Sequence, residues 1–100
     1  MAYKILSTHR IPLEGMNLSQ REFEITAPEK KHFSREELLE RIADYDVLIP
    51  VFGFSIDREL IERGKKLQLI ANFGVGYNNI DVEQATRQGI MVTNTPAMVI

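Results

Sequence analysis

The 100-residue chain predicts an α/β fold: a doubly wound, five-stranded parallel sheet in the flavodoxin-like order 2-1-3-4-5. Three observations predict it. Short apolar runs alternate with capped helical segments from one end of the chain to the other. The connections between them are a few residues long, as in consecutive βαβ units. The run at 46–51, DVLIPV, is nearly continuous in apolar residues, which suits a strand buried on both faces. Right-handed crossovers leave few topologies, and the Rossmann half-fold is the alternative order.

Residues 3–8, YKILST, read as the first strand. Pro12 suits the first position of a helix, where its missing N–H costs nothing, although Gly15 and Asn17 weaken a helix over 12–20. Residues 23–27 read as the second strand, ended by Pro28. Ser34-Arg35-Glu36-Glu37 is a capping box, with Phe33 and Leu38 at the two hydrophobic staple positions. Leu38, Leu39, Ile42 and Ala43 then form an apolar stripe, with Arg35, Glu36, Glu40 and Arg41 facing water. After the 46–51 strand, Asp57 caps a helix through 63, and Gly64 is its expected left-handed stop. Residues 67–72 form the fourth strand. Asp81 caps the last helix with Gln84 at its third position, Gly89 stops it, and 90–93 form the fifth strand. Each N-cap contributes about 1 kcal/mol.

Composition narrows the function classes. A net charge of −2 leaves no basic footprint for nucleic acid or an anionic membrane. There is no cysteine, hence no disulfide and no thiolate metal site. No apolar run is long enough to span a bilayer, and the N-terminus lacks the apolar core of a signal peptide. A soluble, cytoplasmic protein is the expectation.

Ligands of such sheets bind beyond the carboxyl ends of the strands. Here that edge comprises residues 7–10, 51–54, 72–79 and 94–96. Gly74-Val75-Gly76 lacks the third glycine of a dinucleotide loop, since Asn79 stands in its place, and it follows the fourth strand rather than the first. Two readings remain. One is a plain tight turn. The other is a nest of outward-turned backbone N–H groups that suits a carboxylate or phosphate, bordered by the neutral donors Tyr77, Asn78 and Asn79. No Walker loop is present. Ser7-Thr8-His9-Arg10 lacks the composition of a flavin phosphate loop, and Thr8-His9 with Val51-Phe52 lacks the acidic residues of a phospho-receiver. His9 is the one histidine expected on this edge and reads as a solvent-facing loop residue rather than a general base. His32 is expected on the surface away from it. Met91 and Met98 read as packing residues, and no spacing suggests a metal site.

The run over 67–96 resembles the family segment of D-isomer-specific 2-hydroxyacid dehydrogenases, especially the glyoxylate and hydroxypyruvate reductase branch. The matching residues are Leu69-Ile70-Ala71-Asn72, Gly74-Val75-Gly76-Tyr77, Asn79-Ile80-Asp81, Ala85, Gly89-Ile90 and Val92-Thr93-Asn94-Thr95-Pro96. Earlier residues fit through the order of elements and the Val51-Phe52-Gly53 loop. Asn78 departs from the pattern, which often has aspartate there.

The resemblance implies a discontinuous, flavodoxin-like substrate domain, of which residues 1–100 are an incomplete part, and a separate nucleotide-binding domain absent from this chain. It implies that the backbone N–H groups of Val75 and Gly76, with Gly74, hold the substrate carboxylate, that Phe52 and Gly53 line the pocket, and that Asn94-Thr95-Pro96 leads to the interdomain hinge. The family's catalytic arginine, glutamate and histidine and its glycine-rich cofactor loop lie beyond residue 100. The expectation is therefore a truncated portion of an NAD- or NADP-dependent reductase of a small 2-oxo acid, inactive alone. No catalytic, cofactor-binding or metal residue is expected in these 100 residues. A sheet face left bare by the missing closing helix would favour a homodimer or domain-swapped oligomer. The alternative is a stand-alone flavodoxin-like binding or interaction module.

Overall fold

The computed structural model describes residues 3–9, 23–51, 54–73 and 78–94. In chain order the elements are β1 (Tyr3–Ser7), β2 (Phe23–Thr26), α1 (Arg35–Arg41), β3 (Val47–Ile49), α2 (Arg58–Arg63), β4 (Leu69–Asn72), α3 (Val82–Arg87) and β5 (Met91–Asn94). All strand pairs are parallel, in the order β2-β1-β3-β4-β5, which is the expected topology and not the Rossmann one. The helix expected over 12–20 lies outside the described residues.

Register explains the core. Leu6 pairs with Leu48, Leu48 with Ile70, and Ile70 with Val92. This row crosses four strands on one face, and its first three members are essentially inaccessible to solvent. Against it pack Leu38 and Ile42 from the first helical segment, Leu60 and Ile61 of α2, and Ala85 of α3. The three described helices therefore cover a single face. On the opposite face the row one residue earlier runs from buried Ile5 through half-buried Val47 and Leu69 to Met91, which is 66% exposed. The expectations that β3 is buried on both faces and that Met91 is a packing residue both yield to this arrangement.

Helix starts follow the sequence closely. Ser34 Oγ accepts from Glu37 N, and Glu37 Oε1 accepts from Ser34 N, completing the capping box. Asp57 accepts from Leu60 N and Asp81 from Gln84 N. Helix ends follow it less well. The first helix tightens into a 3-10 turn at Ile42–Asp44. The tighter winding carries Ala43 out of the apolar stripe, and it is exposed. Gly89 has φ +75° and is the left-handed stop it was expected to be. Gly64 is not: its φ is −79°. A Cβ there would meet Leu67 Cβ and Cδ2 at 3.1 Å, so Gly64 serves close packing against the entry to β4. Pro50 ends the β3 ladder because it carries no N–H, yet its carbonyl accepts from Phe73 N at 2.8 Å.

Two outcomes follow for stability, both read by equilibrium urea unfolding. Leu48→Ala should cost about 2–5 kcal/mol, because a fully buried side chain in a central strand leaves a cavity. Ser34→Ala should cost about 1 kcal/mol; a loss as large as that of Leu48→Ala would contradict the ranking. The second outcome concerns pH. The Lys30 ammonium, then the Ser34 backbone N–H, hold the Glu37 carboxyl at about 2. The folded value lies below the ordinary carboxylate value of about 4.3. Its stabilising effect is therefore complete above that value and lost as pH falls through the folded one. The stability gap between wild type and Glu37→Gln should narrow steadily as pH is lowered across this window, and a constant gap would refute the assignment.

Candidate functional site

Parallel pairing brings the carboxyl ends of β1, β3, β4 and β5 to one edge. Thr8 organises its left side. The residue is fully buried, and each of its polar groups is used. Its N–H donates to Ile49 O (3.1 Å), its carbonyl accepts from Phe33 N (2.9 Å), and its Oγ1 accepts from Val51 N (2.9 Å). One side chain thus ties β1 to β3 and to the segment that precedes α1.

His9 follows and is half-buried, not solvent-facing as expected. Its Nδ1 lies 2.8 Å from Thr8 Oγ1. His32 is exposed, as expected, but it is not remote from the edge. It forms an antiparallel bridge with His9, and the two ring centroids are 5.3 Å apart. His32 Nδ1 lies 2.8 Å from Phe33 O; a carbonyl oxygen only accepts, so Nδ1 carries the proton. The Phe54 ring stands edge-on to His9 at 6.0 Å and 6.2 Å from His32. Burial, and then the neighbouring His32, lower the His9 pKa below the ordinary imidazole value. Both causes favour the neutral form of the ring.

On the right side, Asn72 ends β4 and is buried at 2% exposure. It exchanges two hydrogen bonds with Asn79, Nδ2 to Oδ1 at 3.2 Å and the reverse at 3.1 Å. Asn79 Nδ2 also donates to Phe54 O at 2.9 Å. Both side-chain hydrogens of Asn79 are thereby used, so Asn79 is not the anion donor that its position suggested. Its backbone carbonyl accepts from Ile56 N (2.7 Å), beside the Ile56–Ile80 bridge that joins this segment to the one after β3.

The sequence-derived site residues Phe52, Gly53, Gly74, Val75 and Gly76 lie outside the described residues, as do Tyr77, Thr95 and Pro96. The structure describes what stands on either side of them: Val51 and Phe54 around the first pair, and Phe73 and Asn78 around 74–77. Among the described residues, the edge presents hydroxyls, amides, imidazoles and aromatic rings, with no lysine, arginine or carboxylate at a strand end. No group of three or more potential metal ligands occurs among the described residues. No helix among them is long and apolar enough to cross a membrane.

Sequence reasoning missed the Asn72–Asn79 pair and the His9–His32 contact. The first had a signal: Asn72 occupies the same face as Ile70, a core position, and a polar residue there requires a partner. The second had none, because the bridge depends on how the segment after β2 returns to β1.

Residues 5–99 match the family profile of the D-isomer specific 2-hydroxyacid dehydrogenase catalytic domain. The glyoxylate reductase of Pyrococcus furiosus is 45% identical over 97 residues, which is 96% of this chain and 29% of that protein. The glyoxylate reductase of Korarchaeum cryptofilum is 36% identical over 99 residues, 98% of this chain and 30% of that one. Among solved structures, the NAD+-bound 3-phosphoglycerate dehydrogenase of Entamoeba histolytica superposes with a TM-score of 0.82 at 32% identity, covering 96% of this chain and 33% of that chain. The chain thus spans about a third or less of the length of these relatives.

The site geometry predicts a titration result. In His32→Gln, the His9 midpoint followed by proton NMR should move up toward the ordinary imidazole range without reaching it, because burial, the larger cause, remains. An unchanged midpoint would show that the two rings do not interact.

Proposed function

The chain belongs to the D-isomer-specific 2-hydroxyacid dehydrogenase family, and we propose that it forms the carboxylate-holding part of the substrate domain of a 2-oxo acid reductase. Glyoxylate and hydroxypyruvate are the proposed substrates of the parent enzyme, with NAD or NADP as the cofactor. The observation that carries this reading is the family match over residues 5–99, together with a strand edge, where a ligand of this fold binds, whose described residues place no charged side chain at a strand end.

In this reading the backbone N–H groups of Val75 and Gly76, next to Gly74, hold the substrate carboxylate, and Phe52 and Gly53 line the pocket. Backbone donors suit a carboxylate because they are fixed in direction and carry no counter-charge to desolvate. The described edge supports this arrangement from both sides, through Phe54 and Asn79.

The described residues do not fit a nicotinamide dinucleotide. The segment after β1, where a phosphate loop would open, is Thr8-His9. The hydrogen-bonding groups of Thr8 are committed to Val51, Ile49 and Phe33. The cofactor, the nucleotide-binding domain, and the catalytic arginine, glutamate and histidine are assigned to sequence outside these 100 residues. Oligomerisation is proposed on a separate ground: the row Val47, Leu69 and Met91 leaves apolar surface that a second copy would cover, as a homodimer or a domain-swapped form.

The purified 100-residue chain should show no oxidation of NADH or NADPH above blank with glyoxylate or hydroxypyruvate. It should still bind glyoxylate weakly, with amide shift changes at Val75 and Gly76 in a 15N NMR titration, since one carboxylate site lacks the rest of the pocket. Turnover by the pure chain would sink the reading of where the chemistry resides. Shift changes confined to other residues would sink the assignment of the carboxylate site.

A further inference from the structure

Asn72 is a polar residue in a core position. It follows Ile70 on the face that carries the sheet's central row, and it is 2% exposed. A buried amide must be satisfied, and one residue satisfies this one twice. Asn72 Nδ2 donates to Asn79 Oδ1 (3.2 Å), and Asn79 Nδ2 donates to Asn72 Oδ1 (3.1 Å). The second hydrogen of Asn79 Nδ2 goes to Phe54 O at 2.9 Å. This third bond fixes the orientation of the pair. A flipped Asn79 would aim its oxygen at the Phe54 carbonyl and confront Asn72 with like atoms. The backbone of Asn79 is held independently, through its carbonyl to Ile56 N.

The geometry points to Asn72 and Asn79 as a positioning clasp for substrate binding. The two residues stand seven apart in sequence, and the segment between them carries Gly74, Val75 and Gly76. The reciprocal pair fixes the separation of the two ends of that segment and ties both to the segment after β3, where Phe54 follows Phe52 and Gly53. Neither amide is available to a ligand through the atoms it uses here. Asn79 in particular has spent both hydrogens, so it acts through the segment it closes. Fixing the ends before the ligand arrives lowers the ordering cost of binding. The inference rests on the proposed carboxylate-holding role of Val75 and Gly76.

Asn72→Asp tests it with nearly unchanged shape. The introduced carboxylate, when ionised, still accepts from Asn79 Nδ2, but its other oxygen faces Asn79 Oδ1 where a donor stood. Burial and that opposing oxygen raise its folded pKa above the ordinary aspartate value of about 3.9. Protonation restores the missing donor and with it the cyclic pair. The sign follows: the clasp is intact at low pH and is lost as pH rises through the raised pKa. Asn79→Asp behaves differently, since it loses both Nδ2 donors and protonation returns one. On the neighbouring elements, the titratable groups among the described residues are Asp81, which caps α3, Asp57, which caps α2 directly after Ile56, and His9 and His32, whose rings stand beside Phe54. All four are present in wild type, so their titration cancels in the comparison.

Glyoxylate affinity and backbone amide exchange at Val75 and Gly76 are measured by NMR for wild type and both variants at about pH 7.5 and about pH 5, where the ligand stays anionic. At the higher pH, Asn72→Asp should bind glyoxylate about tenfold more weakly than wild type and exchange faster at both amides. At the lower pH most of that deficit should disappear, and Asn79→Asp should recover less. Wild-type affinity and exchange in Asn72→Asp at the higher pH would overturn the clasp. So would an equal deficit in both variants that acid leaves unchanged, which is the mark of general structural damage. Acid-restored protection with no glyoxylate binding by any form supports the clasp and overturns the carboxylate reading alone.

Discussion

The apolar row Leu6, Leu48, Ile70 and Val92, in register across four parallel strands, is the constraint on which the rest depends. Side chains alternate along a strand, so a slip of one residue in any of these strands would turn its buried member to the opposite face. With three members inaccessible to solvent, such a slip would cost several kcal/mol. The row therefore fixes the relative height of the strands. Fixing the height sets where each strand ends, and hence which residues meet at the carboxyl edge. Thr8, Val51 and Asn72 come together because Leu6, Leu48 and Ile70 do.

The buried polar side chains of the described part of the edge are all paired. Among the described residues, no buried side-chain nitrogen or oxygen lacks a partner. Thr8 and Asn72 are the costliest groups to leave unmet, being a buried hydroxyl and a buried amide, and each is satisfied by groups distant in sequence. The surface is a different matter. Arg35 reaches both Asp57 and Glu59 and so links α1 to the start of α2. All three side chains are well exposed, and screened pairs of this kind contribute little. Helix packing rests on Leu38, Leu60 and Ile61, and the ion pairs decorate an interface already made.

Topology, strand identity and helix starts were legible in the sequence, because each depends on residues a few positions apart. Ser34, Asp57 and Asp81 cap helices three residues ahead of their partners, and such signals survive any tertiary context. Helix ends were less legible. Gly64 and Gly89 look alike in sequence, yet Gly89 holds a left-handed turn and Gly64 makes room for Leu67. Ala43 fits a 3.6-residue stripe until the winding tightens at Ile42. The site was legible in its location and not in its wiring. His32 was assigned to the surface away from the edge, because nothing local indicates a bridge to His9. Asn79 reads in sequence as a neutral donor bordering the nest, because its commitment to Asn72 and Phe54 spans 7 and 25 residues.

This wiring has a chemical consequence for the carboxylate-holding reading. The described part of the edge offers neutral groups whose polar atoms are largely turned toward one another. A neutral, prebonded frame can hold a carboxylate through backbone N–H groups without imposing a second charge beside it. Among the described residues no lysine, arginine or carboxylate stands at a strand end, and burial biases His9 toward its neutral form. In the proposed reading this edge holds the carboxylate, and the groups that polarise the 2-oxo acid and move its proton come from elsewhere in the parent enzyme. That division of labour is consistent with a chain that matches about a third or less of its relatives' length while keeping their fold over almost all of its own.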